Sequence, residues 1–302
     1  MSQPGLAPRS VAATVELAVG RRKLSGRMSR PVRGTVTRGV VVALHGTGYS
    51  SAYFDSVPDS LLNLGAALGY CVVALDRPRT GETAEKGCSS DEQIEIVSGA
   101  IAALPTLDVD CESGIFLAGH SSGGMLALLV ACDSDLPIVG VSMTAASGAP
   151  NWPVMNAVAD AAAGAGAFLE LPAAARQQTM MGPAWTFAPD VAVVDPVRDI
   201  SMPTVEIQDV LAWSERMPRV AGTCAVPVQC VMPEFDAVWS VDDATVEAVR
   251  RQFSASPMVD VHIQRIAGHS VELHAVAFAH CLKILAFAQE CHVHARVRHS
   301  RL

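Results

Sequence analysis

Residues 114–130 read GIFLAGHSSGGMLALLV. An apolar run with the length of a buried strand stops at a small polar corner, and an apolar stretch of helical character follows. The corner, Gly119-His120-Ser121-Ser122-Gly123, has the form G-x-S-x-G. A serine in a tight strand-to-helix turn takes a strained backbone, so the residues two before and two after it must be tiny to keep strand and helix from colliding. Glycine meets that demand at both places. The same turn points the serine oxygen away from the strand, towards the N–H groups that open the helix. A plain Gly/Ser turn has the same letters, and only the surroundings separate the two. No Gly-Lys-Ser/Thr follows, which argues against a phosphate-binding loop.

Working outward, GVVVALHG (39–46) reads as a buried strand, 60–69 as a helix, CVVALDRP (71–78) as a strand and 90–104 as a helix closed by Pro105. Beyond the corner come a helix over 123–132 and the strand PIVGVSMTAA (137–146). Continuous apolar strands alternating with helices predict an α/β fold with a mostly parallel sheet covered on both faces. Two short strands, 11–19 and 23–30, are expected at a sheet edge. Alternation fails between about 150 and 221, which reads as an inserted cap, so the expected division is a core of 1–149 and 222–302 with a cap of 150–221. The sheet resumes with VPVQCVMPEFD (226–236), a helix over 241–253, the strand VDVHIQRIAGH (259–269) and a closing helix over 271–290. Leu273, Val276, His280, Ile284 and Phe287 would share one face of that helix.

Composition narrows the function classes. The chain has 302 residues, half of them hydrophobic and 17% charged, which excludes a disordered protein. A formal charge of −8 repels phosphate backbones, so nucleic acid is not an expected partner. Glu16 interrupts the only N-terminal run that could serve as a secretory signal, and nothing approaches the roughly 20 apolar residues of a membrane span. A soluble, cytoplasmic protein with no membrane partner is expected. The eight cysteines are scattered without a CxxC pair or zinc spacing and read as reduced core residues; no metal and no cofactor is called for. The end, CHVHARVRHSRL, reads as a frayed basic tail.

A serine hydroxyl is a weak nucleophile until a base takes its proton, and the base needs a third group to orient it. His269 ends a strand and Asp236 lies just beyond one, so both are expected at the carboxyl edge of the sheet where Ser121 opens. Glu234 is the competing carboxylate, and His120, His262, His274 and His280 read as core or surface residues. The oxyanion needs two donors. Ser122 N–H is one, and the other belongs to His45-Gly46-Thr47-Gly48, with Thr47 N–H preferred over Gly48 or Tyr49. His45, Gly46, Tyr49, Trp152 and Trp185 are the candidate substrate-binding residues, and Trp152, Phe168, Met180, Met181, Trp185 and Phe187 read either as an apolar acyl pocket or as packing within the cap.

With HGTG, GHSSGG, PEFD and AGHS in this order, the chain resembles the α/β-hydrolase superfamily from about residue 38 to 290. DRPRTGET (76–83) is similar to the family loop after the fourth strand, made more basic by Arg77 and Arg79. The resemblance implies a Ser121-Asp236-His269 triad that works without metal or organic cofactor under a variable cap. The expected activity is hydrolysis of an acyl ester or thioester of a hydrophobic small molecule, of a secondary-metabolic kind. The substrate would be a small-molecule acyl compound, free, carrier-linked or CoA-linked. Arg77 and Arg79 are expected either in a solvated loop or facing an anionic group such as a phosphopantetheine arm. A non-hydrolytic ligand-binding, cyclisation or acyl-transfer member of the same fold is the alternative, and oligomeric state is not legible.

Overall fold

The computed structural model describes residues 12–78, 88–188, 191 and 202–299. Arg79 therefore lies outside the described residues, as do the first eleven and last three. Eight strands form one sheet: β1 (Ala13–Val19), β2 (Arg22–Ser29), β3 (Gly39–Leu44), β4 (Tyr70–Leu75), β5 (Ile115–His120), β6 (Ile138–Thr144), β9 (Val228–Phe235) and β10 (Val259–Gly268), in the order β1-β2-β4-β3-β5-β6-β9-β10. The six from β4 to β10 in that order are mutually parallel, while β1 and β2 make an antiparallel edge. Every residue of β3, β4 and β5 is buried, as unbroken Val, Ile, Leu and Ala runs demand when both faces are covered.

Alternation along those strands builds two cores. Val40, Val42 and Leu44 face a cluster formed with helices α2 (Ser90–Ala102) and α3 (Ser122–Asp133). Val41 and Ala43 face the other, formed with α1 (Leu61–Ala67) and α8 (Ala277–His299). Helix α7 (Asp243–Gln252) packs on β10. Ser89 starts α2 with a full capping box, exchanging hydrogen bonds with Glu92. All eight cysteines are free, six of them buried.

Between β6 and β9 the described chain leaves the main sheet. It contributes α4 (Trp152–Ala163), α5 (Ala173–Met180), α6 (Thr204–Thr223) and the two-residue pair β7 (Phe168–Leu169) and β8 (Met202–Pro203). Helix α6 rests on α3, with Trp213 buried and its Nε1–H donated to Ala146 O at 3.1 Å. Among the described residues no helix is long and apolar enough to cross a membrane.

The closing helix departs from the sequence expectation at both ends. Residues 271–273 form a separate short helical turn that carries Leu273, and α8 begins at Ala277. At its far end the supposed frayed tail is helical through His299, because Cys291 and His292 are buried against the sheet. His292 stacks its ring over the bare Cα of Gly39, where a Cβ would come within 2.4 Å of the imidazole.

Candidate active site

The chain runs from β3 to β4 on one side and then to β5 on the other, so the topology switches between β3 and β5, and a crevice opens above their carboxyl ends. Ser121 stands at that point. It is the residue before α3, with φ 53° and ψ −127°, a conformation that costs a non-glycine residue about 1–3 kcal/mol. Its hydroxyl makes no capping bond to the helix and instead meets His269 Nε2 at 2.9 Å. The flanking glycines are obligatory: a Cβ on Gly119 would lie 2.4 Å from Gly123 O, and one on Gly123 2.1 Å from Leu44 O.

His269 is carried by an irregular strand end. The β9–β10 register shifts between Gln264 and Gly268, and Ile266 takes φ 62°, a rare conformation for a β-branched residue. Glu234 holds this bend by accepting from Ile266 N–H at 2.8 Å and Arg265 Nη1 at 3.1 Å, so it is not the imidazole's partner. Asp236 is. Its wholly buried carboxylate lies 2.9 and 3.1 Å from His269 Nδ1 and accepts from Val238 and Trp239 N–H at 2.8 and 3.2 Å. A carboxylate at Nδ1 leaves Nε2 as the acceptor for the Ser121 proton.

The loop after β3 is a tight turn in which Tyr49 N–H donates to Gly46 O at 3.2 Å and Gly48 takes φ 79°, the left-handed value that position requires. That commits the Tyr49 amide and leaves Thr47 at the tip. Gly46 lets the loop approach the elbow, since a Cβ there would fall 2.9 Å from Ser121 Cβ. Thr47 Oγ1 donates to Ser122 Oγ at 2.9 Å, joining the two residues whose amides are the expected oxyanion donors.

Several expected substrate-binding residues are elsewhere. His45 is fully buried, donating from Nδ1 to Gly46 O and accepting at Nε2 from Arg77 N–H. Burial and the Arg77 charge lower its pKa to about 3, so it is neutral. Tyr49 is buried too, sharing a 2.6 Å hydrogen bond with Ser270 Oγ. Trp152 and Trp185 are 50% and 67% exposed and do not line the cleft above Ser121; Trp185 packs edge-on against Phe235. Met181 and Phe187 are core residues and Phe168 is partly exposed, leaving Met180 at the cleft. Arg77 is in neither expected setting: it is buried in an ion pair with Glu206 of α6.

A cleft open to solvent lies over Ser121 and His269, and its walls are mainly aliphatic and methionine side chains. Helix α4 lines it with Val154, Met155 and Val158, and α6 with Ile207, Val210 and Leu211. These positions recur at three- and four-residue spacing, whereas Trp152 begins α4 on its outer side. No lining residue among those described is a lysine or arginine.

Behind His269 lies a buried polar cluster that the sequence did not announce. His120 Nε2–H donates to the His269 carbonyl at 3.0 Å, and its ring stacks on Tyr53 at 4.6 Å. Tyr53 donates to the Glu272 carboxylate, which also faces His280 Nε2 at 3.5 Å. Burial opposes the Glu272 charge, but the hydrogen bond and charge of His280, with His120 and Tyr53, prevail and lower its pKa to about 2. Burial lowers His120 to about 4.

Residues 41–280 match the Alpha/beta hydrolase family. The chain belongs to that family. Solved hydrolase-fold structures align over nearly the whole chain at low identity. An esterase of Thermogutta terrifontis is 17% identical with TM-score 0.66, over 94% of this chain and 100% of that one. A monoglyceride lipase of Saccharomyces cerevisiae is 14% identical with TM-score 0.70, over 97% and 99%. An enol-lactonase of Burkholderia xenovorans is 16% identical with TM-score 0.68, over 91% and 99%. No curated protein sequence matches the chain.

Proposed function

We propose that the protein is a serine hydrolase that cleaves esters of neutral, apolar acyl groups. The observation that carries this reading is the Ser121 Oγ–His269 Nε2–Asp236 relay, with distances of 2.9 Å on both sides of the imidazole, opening into a cleft walled by aliphatic and methionine side chains. Ser121 attacks the acyl carbonyl as His269 removes its proton. Asp236 keeps the imidazole in the required tautomer and stabilises the imidazolium. Thr47 and Ser122 N–H receive the oxyanion, the leaving alcohol takes the proton from His269, and water repeats the sequence to release the acid. Residues 150–221 act as the cap that supplies the acyl pocket.

The aliphatic and methionine lining of the cleft supports an apolar acyl group, and the choice between ester and thioester is left to the assay. The test is intact-mass analysis after treatment with a fluorophosphonate, beside Ser121→Ala, followed by p-nitrophenyl esters of two to twelve carbons and the matching acyl thioesters. One adduct on the unaltered chain, none on the variant, and turnover that rises with apolar chain length are expected. Labelling with no turnover of any acyl compound would reject hydrolysis in favour of a ligand-binding or cyclising protein.

A further inference from the structure

The buried ion pair between Arg77 and Glu206 has no place in the relay just described. Two such charges withdrawn from water are poor stabilisers, and apolar replacements of similar volume often leave a fold as stable or more so. Its location gives it another purpose. We propose that Arg77, held by Glu206, is a positioning residue for the oxyanion site, fixing both of its donors and placing a positive charge beneath it; this rests on the acyl-hydrolysis reading above.

Arg77 follows β4 by two residues and is 1% exposed. Its Nη2 donates to Ser122 Oγ at 3.1 Å, and the same oxygen accepts from Thr47 Oγ1 at 2.9 Å. A single hydroxyl thus gathers the guanidinium and the side chain at the tip of the β3 loop, on the residue whose amide opens α3. The Arg77 backbone supplies a second tie, donating at 3.1 Å to His45 Nε2, whose other nitrogen donates to Gly46 O at 2.9 Å. Burial keeps His45 neutral, so Nε2 stays an acceptor. Arg77 therefore grips both walls of the site, one through its side chain and one through its main chain. In a desolvated setting a fixed cation near a developing negative charge needs no reorganisation when the tetrahedral intermediate forms.

Glu206 fixes the direction of the guanidinium, with Gln93 Oε1 at 3.5 Å from the same Nη1. It sits in the first turn of α6, where the helix dipole favours an acid. The next residue, Ile207, and then Val210 and Leu211 line the cleft. One helix thus meets the acyl chain and holds the arginine, and an acyl chain that displaces α6 disturbs the oxyanion donors. The penalty for a poor fit falls on kcat as well as KM.

The experiment uses the full chain with Arg77→Met/Glu206→Leu, Arg77→Lys and Ser122→Ala. It measures kcat and KM on the best p-nitrophenyl ester, the inhibition constant of the alkylboronic acid of equal chain length, and thermal midpoint. A boronic acid forms a tetrahedral anion on an activated serine, whereas KM reports the neutral ester. The double variant is expected to melt near the parent temperature and to lose kcat about 100-fold, with boronate affinity falling in step and KM changing little. Arg77→Lys should recover part of the loss. Ser122→Ala, which keeps both charges and the amide, should lower kcat and boronate affinity about tenfold, and it decides the matter if the double variant fails to fold. Parental kcat and boronate affinity in the double variant, or in Ser122→Ala if the double variant does not fold, would overturn the proposal while leaving the hydrolase intact. A parent protein that neither turns over esters nor binds the boronate would instead reject the hydrolase reading itself, and this one with it.

Discussion

At the scale of single residues, strain and polarity are concentrated where chemistry is proposed. Ser121 and Ile266 both sit at positive φ, one at the elbow and one in the bend that brings His269 over it. Asp236→Asn should fold normally and lose about 10⁴-fold in kcat, because a neutral amide neither fixes the imidazole tautomer nor stabilises its charged form; ester turnover beside a thermal melt checks it. Ile266→Gly is expected to raise the unfolding free energy by less than about 1 kcal/mol, since relief of the backbone strain is offset in part by the entropy of glycine in the unfolded chain and by the lost contacts of a side chain that is 41% exposed. Urea titration measures this. Gly123→Ala should cost about 3 kcal/mol by driving a methyl group into Leu44 O. The elbow serine, the imidazole and the carboxylate are legible in the sequence because each is bound to a strand end. The Arg77–Glu206 pair is not, because its partners are 129 positions apart and each alone reads as an ordinary loop or helix charge.

The elements are legible where apolar period and punctuation agree. Unbroken apolar runs mark β3, β4 and β5 to within three residues, and α2 ends at Ala102, ahead of Pro105, which falls in a separate short helical turn. The closing helix is displaced because 271–273 turn separately and the apolar spacing continues across the break. In the segment between β6 and β9 the helices could not be placed, and the tryptophans drew the expected pocket to side chains that do not line the cleft over Ser121. Size alone does not say which way a side chain faces; the spacing of Val154, Met155 and Val158 does. Val158→Trp should fill the acyl cleft and shift the preferred p-nitrophenyl ester to shorter chains. Each methylene that can no longer be buried is expected to cost about 0.8 kcal/mol, roughly fourfold in kcat/KM. Rates across the two-to-twelve-carbon series read this directly, and an unchanged profile would place the acyl chain elsewhere.

Across the whole molecule the parallel sheet buries ionisable groups in fixed states, and its stability should follow pH accordingly. His45, His120, His274 and His292 all have pKa values lowered from the ordinary 6.5 chiefly by burial, the first to about 3 and the next two to about 4. Below pH 6.5 the unfolded chain takes up protons that the native chain refuses, so stability is full above that pH and falls as pH drops towards 4. The slope is at most about 1.4 kcal/mol per pH unit for each histidine. Glu272, lowered from 4.5 to about 2, adds a second loss between those values. Denaturant titrations from pH 8 to 4 should show a steadily falling midpoint. The thiols offer a separate view of the same opening. With Cys71, Cys88, Cys224, Cys230, Cys281 and Cys291 buried, and Cys111 and Cys132 half-buried, a small alkylating reagent finds little to attack in the intact molecule. Each additional modified cysteine then dates and locates a breach: Cys230 the loosening of the sheet beside its β10 edge, Cys281 and Cys291 the detachment of the last helix, so that mapping the order of alkylation turns the chain's own sulfur atoms into a record of how it comes apart.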